Sequence, residues 1–155
     1  MHYDLRWAGP TDYPELADIM FDAVRNGPSA YSERQRAAWV PTRREGQAWN
    51  DRLSGQDIVL GACDGRAIGF MSLAGDYVDF AYIRPSARGT GLFRAMFERL
   101  EERARNKGVR LLWVHASLAA RPSFAAMGFK VRMREEVALG SERLERFEME
   151  KALGA

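Results

Sequence analysis

Apolar residues recur along the chain with two different periods, and the period changes near residue 57. After a short alternating start, they recur every three or four residues, the spacing of one face of an amphipathic helix. Capping residues and a Gly-Pro pair set the helix boundaries. The predicted elements are a strand at Tyr3–Trp7, a helix from caps at Thr11 and Asp12 to Asn26, a short helix capped by Ser32 and ending near Trp39, and a helix around Glu45–Leu53.

Beyond residue 57 the apolar residues alternate, which predicts strands joined by tight turns. One long helix interrupts them, marked by an apolar stripe that includes Met96, Phe97 and Leu100. The predicted elements are strands at Asp57–Cys63, Ala67–Leu73 and Tyr77–Ile83, the long helix ending at Lys107-Gly108, a strand at Leu111–His115, a short helix at Pro122–Met127, and a closing hairpin of Phe129–Leu139 and Arg143–Glu150.

The strand Leu111–His115 is apolar on both faces, as expected for a central parallel strand. It follows the strand Tyr77–Ile83 through the long helix, so that unit is predicted to be a right-handed crossover. The strands in the middle of the chain form an antiparallel meander. The sequence therefore predicts an α/β (α+β) fold, with one domain over residues 1–155. Its sheet is mixed and mostly antiparallel, with about seven strands and helices on both faces.

Composition excludes several classes of protein. The single cysteine, Cys63, excludes an internal disulfide framework and a cysteine-based zinc site, and no metal is expected. No apolar run approaches the roughly 20 residues of a membrane span. The N-terminus lacks the apolar core of a signal peptide. We therefore expect a cytoplasmic protein that does not enter a membrane.

Charge is unevenly distributed behind a net charge of +2. Residues 1–83 carry 8 basic and 12 acidic residues, a net of −4, whereas residues 84–110 carry 8 basic and 3 acidic residues, a net of +5. A concentrated positive field favours an anionic ligand at that segment. Nucleic acid is not expected, because the chain lacks interleaved exposed aromatic residues and a strong overall positive charge.

A loop with two glycines, Gly89 and Gly91, connects a predicted strand to the start of the long helix. The first N–H groups of a helix lack internal partners and carry partial positive charge, so such a place binds phosphate. Arg84 and Arg88 add full charges and Thr90 adds a hydroxyl. The spacing matches neither the dinucleotide fingerprint nor a Walker loop. A plain helix-entry turn with solvated arginines is the alternative.

A second segment, residues 114–129, runs from the end of a buried strand through small residues into a short helix. Pro122 suits a first helical turn, and Gly128 suits a left-handed cap at the helix end. Taken alone, this segment is typical of a packed corner between a strand and a helix.

Together these segments resemble the GNAT superfamily of N-acetyltransferases. The family's acyl-CoA motif is Gln/Arg-x-x-Gly-x-Gly/Ala, and here residues 88–93 read Arg-Gly-Thr-Gly-Leu-Phe. Residues 81–85, Ala-Tyr-Ile-Arg-Pro, look like the strand end that precedes the motif. Residues 120–129 are similar to the family's Ala-x-x-x-Tyr-x-x-x-Gly-Phe. His115 takes the place of an asparagine found in one bacterial branch. The resemblance covers roughly Tyr3 to Ala152.

The resemblance implies acetyl-CoA as the acyl donor, with its pantetheine arm between the strands Tyr77–Ile83 and Leu111–His115. It implies backbone pairing near Tyr82 and Ile83, where an N–H group polarises the thioester carbonyl. A primary amine then attacks the thioester directly in a ternary complex. The implied contacts of the cofactor are Tyr82, Ile83, Arg88, Gly89, Thr90, Gly91, Leu92, Phe93, Ser117 and Phe124.

Two positions depart from the family pattern. Phe124 stands where many members have a tyrosine that protonates the leaving thiolate, so another group acts or the thiolate leaves unaided, which a thiol pKa of about 8.5 permits. Phe93 replaces a small residue of the phosphate motif. Its side chain can turn into the core and leave its N–H free, whereas a side chain that points outward would crowd the pyrophosphate.

An attacking ammonium must lose a proton, so a base is expected near the thioester. Asp79 is one candidate, placed by strand alternation on the same face as Tyr77 and Ala81. His115, at the end of the central strand, is the other, because imidazole titrates near neutral pH. Each also has an ordinary structural interpretation: a partly exposed strand charge for Asp79, and a hydrogen-bonded core histidine for His115.

The acceptor pocket is expected in the helical segment between the first two strands, with Tyr31, Trp39 and Trp49 as its large residues. Glu33, Glu45 or Asp51 would hold a cationic amine. The acceptor is a small-molecule or peptide amine whose identity the sequence leaves open, as it leaves open a homodimer. A non-catalytic acyl-CoA sensor or regulatory module is the alternative, suggested by Phe124.

Overall fold

The computed structural model describes residues 3–154, which form one seven-stranded sheet flanked by helices. The strands are β1 (Asp4–Trp7), β2 (Asp57–Cys63), β3 (Arg66–Ala74), β4 (Tyr77–Ile83), β5 (Leu111–Ser117), β6 (Lys130–Leu139) and β7 (Glu142–Ala152). The helices are α1 (Tyr13–Arg25), α2 (Glu33–Trp39), α3 (Gly46–Leu53), α4 (Leu92–Asn106) and α5 (Arg121–Ala126). Their order along the chain is the predicted one.

The strand order across the sheet is β1-β2-β3-β4-β5-β7-β6. Only β4 and β5 pair in parallel, and every other neighbouring pair is antiparallel. The mixed, mostly antiparallel sheet predicted from the sequence is therefore confirmed. The single parallel pair lies in the middle, and α4 makes the crossover between its two strands.

Two apolar clusters lie on opposite faces of the sheet. On one face, α4 buries the stripe of Leu92, Met96, Phe97 and Leu100. Burial of each such side chain contributes about 1.5–3 kcal/mol. On the other face, α1 and α3 pack over β2, β3 and β4. Gly61 in β2 lets α4 lie close, because a Cβ there would come within 2.7 Å of Leu92.

Two predicted helix caps have different outcomes. The capping box of α2 is confirmed, since the Ser32 side chain accepts the Gln35 N–H at 3.1 Å and Gln35 accepts the Ser32 N–H at 2.8 Å. The side-chain cap of α1 by Asp12 is wrong. Asp12 instead accepts hydrogen bonds from the Gly9 N–H and the Arg6 guanidinium, which hold its carboxylate away from the helix. Among the described residues, no helix combines the length and apolarity needed to cross a membrane.

Candidate active site

The parallel strands β4 and β5 separate soon after they meet. Only two residue pairs join them, Tyr77 with Trp113 and Val78 with Val114. The rest of β4 stays bonded to β3, and the rest of β5 stays bonded to β7. A gap therefore opens in the centre of the sheet, between the later residues of two strands that are each supported from the other side.

A bulge in β4 lies where this gap begins. Leu73 pairs with Val78 and Met71 pairs with Ala81, so Ser72 faces two residues, Asp79 and Phe80. The buried Ser72 hydroxyl accepts the Phe80 N–H at 3.1 Å, in place of a backbone carbonyl. An extra residue in one strand bends it and increases its local twist. The bulge thus accounts for the change of direction that carries β4 away from β5.

The bulge also corrects the predicted faces of β4. Tyr77 and Asp79 do lie on one side, as expected, but they share it with Phe80 and Tyr82. Ala81 packs into the opposite cluster, against α4. Strand alternation, which had placed Ala81 with Asp79, fails here because the additional residue reverses every side chain after it.

Backbone groups of β4 face the gap at alternate residues. The Arg84 N–H donates to the Ile68 carbonyl at 2.8 Å, so the backbone N–H of Arg84 points toward β3. Because hydrogen-bonding residues alternate along an antiparallel strand, the N–H of Tyr82, two residues earlier, also points toward β3. The N–H groups of Ala81 and Ile83 therefore point the other way, into the gap.

The loop after β4 has an open approach to the start of α4. Gly89 has φ 74° and Gly91, immediately before the helix, has φ 88°, conformations that favour glycine. A Cβ at either position would meet nothing within 4 Å, so the space over the loop is clear. The first N–H groups of α4 have no partner within the helix. The Thr90 hydroxyl is used locally, because it donates to the Ala87 carbonyl at 2.6 Å.

The two arginines of this loop turn toward α1. Arg84 is buried and forms ion pairs with Glu15 at 2.8 Å and Asp22 at 3.1 Å. The Arg88 guanidinium donates to the Ala23 carbonyl at 2.8 Å and the Pro28 carbonyl at 3.1 Å. Sequence reasoning treated both as cations beside the phosphate loop. In the structure they fasten the loop to α1 and to Pro28, just beyond that helix.

Phe93 and Phe124, the two aromatic residues that depart from the family pattern, pack on each other. The ring centroids of Phe93 and Phe124 are 5.0 Å apart, edge to face, and Phe124 makes a second such contact with Phe129 at 5.1 Å. Phe124 is 1% exposed, and Phe93 packs against the same apolar cluster. Of the two alternatives for Phe93, the side chain thus takes the inward one and leaves the helix start uncrowded.

A cavity of about 650 Å³ lies beside the gap, on the face of the sheet that carries α1 and α3. Tyr31, Trp39 and Trp49 line it, at the place expected from the sequence. Of the three acidic candidates for an amine, only Glu45 lines it. Asp79, Tyr82, His115 and Ser117 also contribute, so four of the predicted site residues meet there. The sequence did not single out Tyr77, Arg52 and Arg146, which line it too.

Asp79 is held by neighbouring side chains. Arg52 donates to both of its oxygens, at 2.7 and 3.0 Å, and Gln56 donates to one of them at 2.7 Å. The Asp79 side chain is 7% exposed. The carboxylate in turn raises the pKa of the Arg52 guanidinium. This arrangement makes Asp79 an anchor for Arg52.

His115 lies between a phenol and two carboxylates. Its Nδ1 is 2.8 Å from the Tyr77 hydroxyl, and its Nε2 is 3.5 Å from Glu135 and 3.7 Å from Glu148. Burial, with a smaller effect of the Arg146 charge, lowers the pKa of His115 below its ordinary value despite the two carboxylates. The imidazole is therefore neutral near pH 7.

Tyr31, two residues before α2, connects the end of β5 to β7. The Tyr31 hydroxyl donates to the Glu145 carbonyl at 2.5 Å and accepts the Leu118 N–H at 3.1 Å. The Ser117 hydroxyl accepts the Ala120 N–H at 3.1 Å. Within residues 3–154, no group of three or more histidine, cysteine or acidic side chains is placed to hold a metal ion.

Comparisons with known proteins agree with this geometry. A family model described as an acetyltransferase (GNAT) domain matches residues 28–153. The protein called uncharacterized N-acetyltransferase YafP, from Escherichia coli strain K12, is 26% identical over 129 residues, which are 83% of this chain and 81% of that protein. A crystal structure of a GCN5-related N-acetyltransferase from Rhodopseudomonas palustris is 30% identical, with a TM-score of 0.91 over 99% of this chain and 97% of that one.

A third similar structure shares the fold at lower identity. It is a phosphinothricin acetyltransferase from Sinorhizobium meliloti in complex with acetyl-CoA, 24% identical, with a TM-score of 0.76 over 99% of this chain and 90% of that one. The separated central strands, the open helix start and the family match over most of the chain lead to one assignment: the chain belongs to the GNAT family and is an acyl-CoA-dependent acetyltransferase.

Proposed function

We propose that the protein transfers the acetyl group of acetyl-CoA to the nitrogen of a primary amine, with both reactants bound together. The observation that carries this proposal is the separation of β4 from β5 beside a cavity that the same strands line. Acetyl-CoA in the gap and an acceptor amine in the cavity would meet where β4 and β5 separate. Holding two reactants in this way removes much of the entropic barrier to their reaction.

The residues along the gap fit acetyl-CoA. The N–H groups of residues 89–93 offer donors for the pyrophosphate at a helix start, where the helix dipole favours negative charge. Arg88 supports that loop through its bonds to the end of α1. The N–H groups of Ala81 and Ile83 are available to the pantetheine and to the thioester carbonyl, where a fixed donor stabilises the charge that develops on oxygen.

The reaction forms a carbon–nitrogen bond and breaks the carbon–sulfur bond of the thioester. The thiolate leaves without an acid, since a thiol pKa of about 8.5 makes it an adequate leaving group. Ser117 is a candidate to relay a proton from solvent to the thiolate afterwards, because its oxygen accepts the Ala120 N–H and its own proton is not used in that bond.

The proton of the attacking ammonium goes to His115 through Tyr77. The two carboxylates near Nε2 favour a proton on that atom, so Nδ1 accepts the Tyr77 O–H. The Tyr77 oxygen takes a proton from the amine as its own proton passes to Nδ1. Asp79 acts as a positioning residue, since its oxygens already accept three hydrogen bonds.

The test is release of free thiol from acetyl-CoA across a panel of primary amines, with the acetylated product identified by mass spectrometry. We expect release that depends on the amine and saturates in both reactants. Acetyl-CoA alone serves as the control for simple hydrolysis.

A non-catalytic acyl-CoA-binding module is the alternative, and Phe124 is the observation that favours it, because it lacks the phenol that many relatives use. Thermal stabilisation by acetyl-CoA without thiol release from any amine would select this alternative. Absence of both stabilisation and release would contradict the proposed donor.

A further inference from the structure

We infer that the acceptor carries a carboxylate as well as its amine, with an apolar or aromatic side chain, and that Arg44 binds the carboxylate. This inference rests on the proposed function and names the substrate class of that site. It follows from the distribution of charge in the cavity, where one of four arginines has no acidic partner among residues 3–154.

Four arginines line the cavity, and three of them are neutralised. These three ion pairs are Arg43 with Asp18, Arg52 with Asp79 at 2.7 Å, and Arg146 with Glu135 at 2.6 Å. A guanidinium that is already paired with a carboxylate has little electrostatic attraction left for an anionic ligand. The paired arginines thus form the polar wall of the cavity rather than its binding group.

Arg44 is different. Its guanidinium donates a hydrogen bond to the Trp39 carbonyl at 3.3 Å. No carboxylate within residues 3–154 lies within 4.0 Å of its side-chain nitrogens. Most of its five donors are therefore free for a ligand. Glu45, the adjacent acid of the lining, does not form an ion pair with it in the part of the chain that the structure describes.

Arg44 shares the cavity with Tyr82 of β4. Burial strongly raises the pKa of the Tyr82 phenol. The positive charge of Arg44 acts in the opposite direction and lowers that pKa. Tyr82 lies on β4, after the bulge, on the strand along which the thioester is proposed to lie, and it lines the same cavity as Arg44. A carboxylate bound by Arg44 would hold the acceptor in the cavity that the Tyr77–His115 pair also lines.

The remaining walls suit an apolar body between the two polar ends. Five aromatic side chains contribute to them, Tyr31, Trp39, Trp49, Phe80 and Tyr82, together with aliphatic ones such as Met20 and Leu144. A volume of about 650 Å³ falls in the range of small-ligand sites. A carboxylate held by a guanidinium in such surroundings makes charge-assisted, bidentate hydrogen bonds, which are stronger than neutral ones. The combination fits an apolar or aromatic amino acid.

The experiment compares matched pairs of amines that differ by one carboxylate. The probes are L-phenylalanine with 2-phenylethylamine, L-tryptophan with tryptamine, and L-leucine with isoamylamine, each assayed for kcat/KM by thiol release. We expect the amino acid of at least one pair to exceed its amine by tenfold or more. In Arg44→Gln, that ratio falls by about 10- to 100-fold, and Arg44→Lys restores part of it.

The controls separate this inference from the proposed function. Arg34→Gln removes an exposed guanidinium from α2, outside the cavity, and is expected to leave every ratio unchanged. Circular dichroism and melting curves establish that each variant is folded. Release only with amines that lack a carboxylate, or an amino acid preference that Arg44→Gln and Arg44→Lys both leave intact, would overturn the inference and leave the function standing. No release with any primary amine would contradict the function itself.

Discussion

The hydroxyl of Tyr77 lies 2.8 Å from Nδ1 of His115, at the point where β4 and β5 part. The two residues are 38 positions apart in the chain and meet because Tyr77 pairs with Trp113, two residues before His115, in the parallel ladder. Both side chains line the cavity. The Tyr77 phenol thus connects the titratable imidazole of His115 to the acceptor site. Burial raises the pKa of that phenol.

The first prediction is that both members of this pair control proton removal. Tyr77→Phe should lower kcat by about 100-fold, the lower end of what a positioned proton acceptor contributes, and His115→Gln should lower it at least as much. Tyr77→Phe retains the ring contacts with Trp113 and His115, so the loss would come from the hydroxyl. Steady-state kinetics with a saturating amine measure this effect. Full activity in both variants would transfer the base role to solvent.

The pH dependence follows from the direction of the His115 shift. Its pKa in the folded protein lies below the ordinary value of about 6.5, and the neutral form is the base. The wild-type rate should therefore fall as pH decreases through that lowered pKa, and His115→Gln should lose this acidic limb. The unfolded chain binds the proton more readily, so His115 also makes the fold less stable as pH falls below about 6.5.

The elements of the fold were predictable because each has a local signal. The apolar stripe of α4, the Ser32 capping box and the glycine turns between strands depend on residues close in sequence. The direction of the Arg84 and Arg88 side chains was not predictable. It depends on Glu15, Asp22 and the carbonyls of Ala23 and Pro28, 60 to 69 residues away, and no local sequence pattern predicts such a contact.

The bulge at Asp79 and Phe80 marks the other limit of sequence reasoning. It depends on the Ser72 hydroxyl of the neighbouring strand, which substitutes for a backbone acceptor. Sequence reasoning located the gap and the helix start through the family motif, but it assumed regular alternation along β4. That assumption misplaced Ala81 and left Asp79 equally favoured with His115 as the base.

The second prediction separates these two candidates. Asp79→Asn removes the charge that anchors Arg52, so the KM for the amine should change while the acidic limb of the pH–rate profile stays where it is. If Asp79 were the base, by contrast, its substitution would remove the acidic limb from the profile. Asp51→Asn is the matched control, because Asp51 lies exposed on α3, outside the cavity lining, and accepts a hydrogen bond from Gln47. Loss of the acidic limb in Asp79→Asn would return the base role to Asp79.

The third prediction concerns the start of α4. Gly91→Glu should abolish acetyl-CoA binding, because a carboxylate there would repel the pyrophosphate and fill the open space over the loop. The matched control is Gly65→Glu in the β2–β3 turn, since Gly65 has φ 77° against 88° for Gly91 and also has open space around it. Both variants carry a similar backbone strain of about 1–2 kcal/mol.

Thermal shift and calorimetry with acetyl-CoA measure the difference between these two variants. In wild type and Gly65→Glu, ligand at 100 times its dissociation constant adds about 2.7 kcal/mol to the free energy of unfolding. In Gly91→Glu no such stabilisation is expected, although the protein stays folded. Unchanged affinity in Gly91→Glu would exclude this loop as the phosphate site.

The last prediction addresses the missing tyrosine. Phe124 is enclosed by Phe93 and Phe129 and is 1% exposed, so a hydroxyl added to its ring in Phe124→Tyr meets apolar neighbours and costs about 1–3 kcal/mol of stability. The maximal rate should stay within a few-fold, because the thiolate can leave near neutral pH without a proton donor. Urea denaturation and single-turnover thiol release measure the two quantities. A rate increase approaching 100-fold, the start of the range for positioned acid catalysis, would contradict this expectation. It would mean that departure of the thiolate limits the rate and that the enzyme is slower because it lacks the phenol.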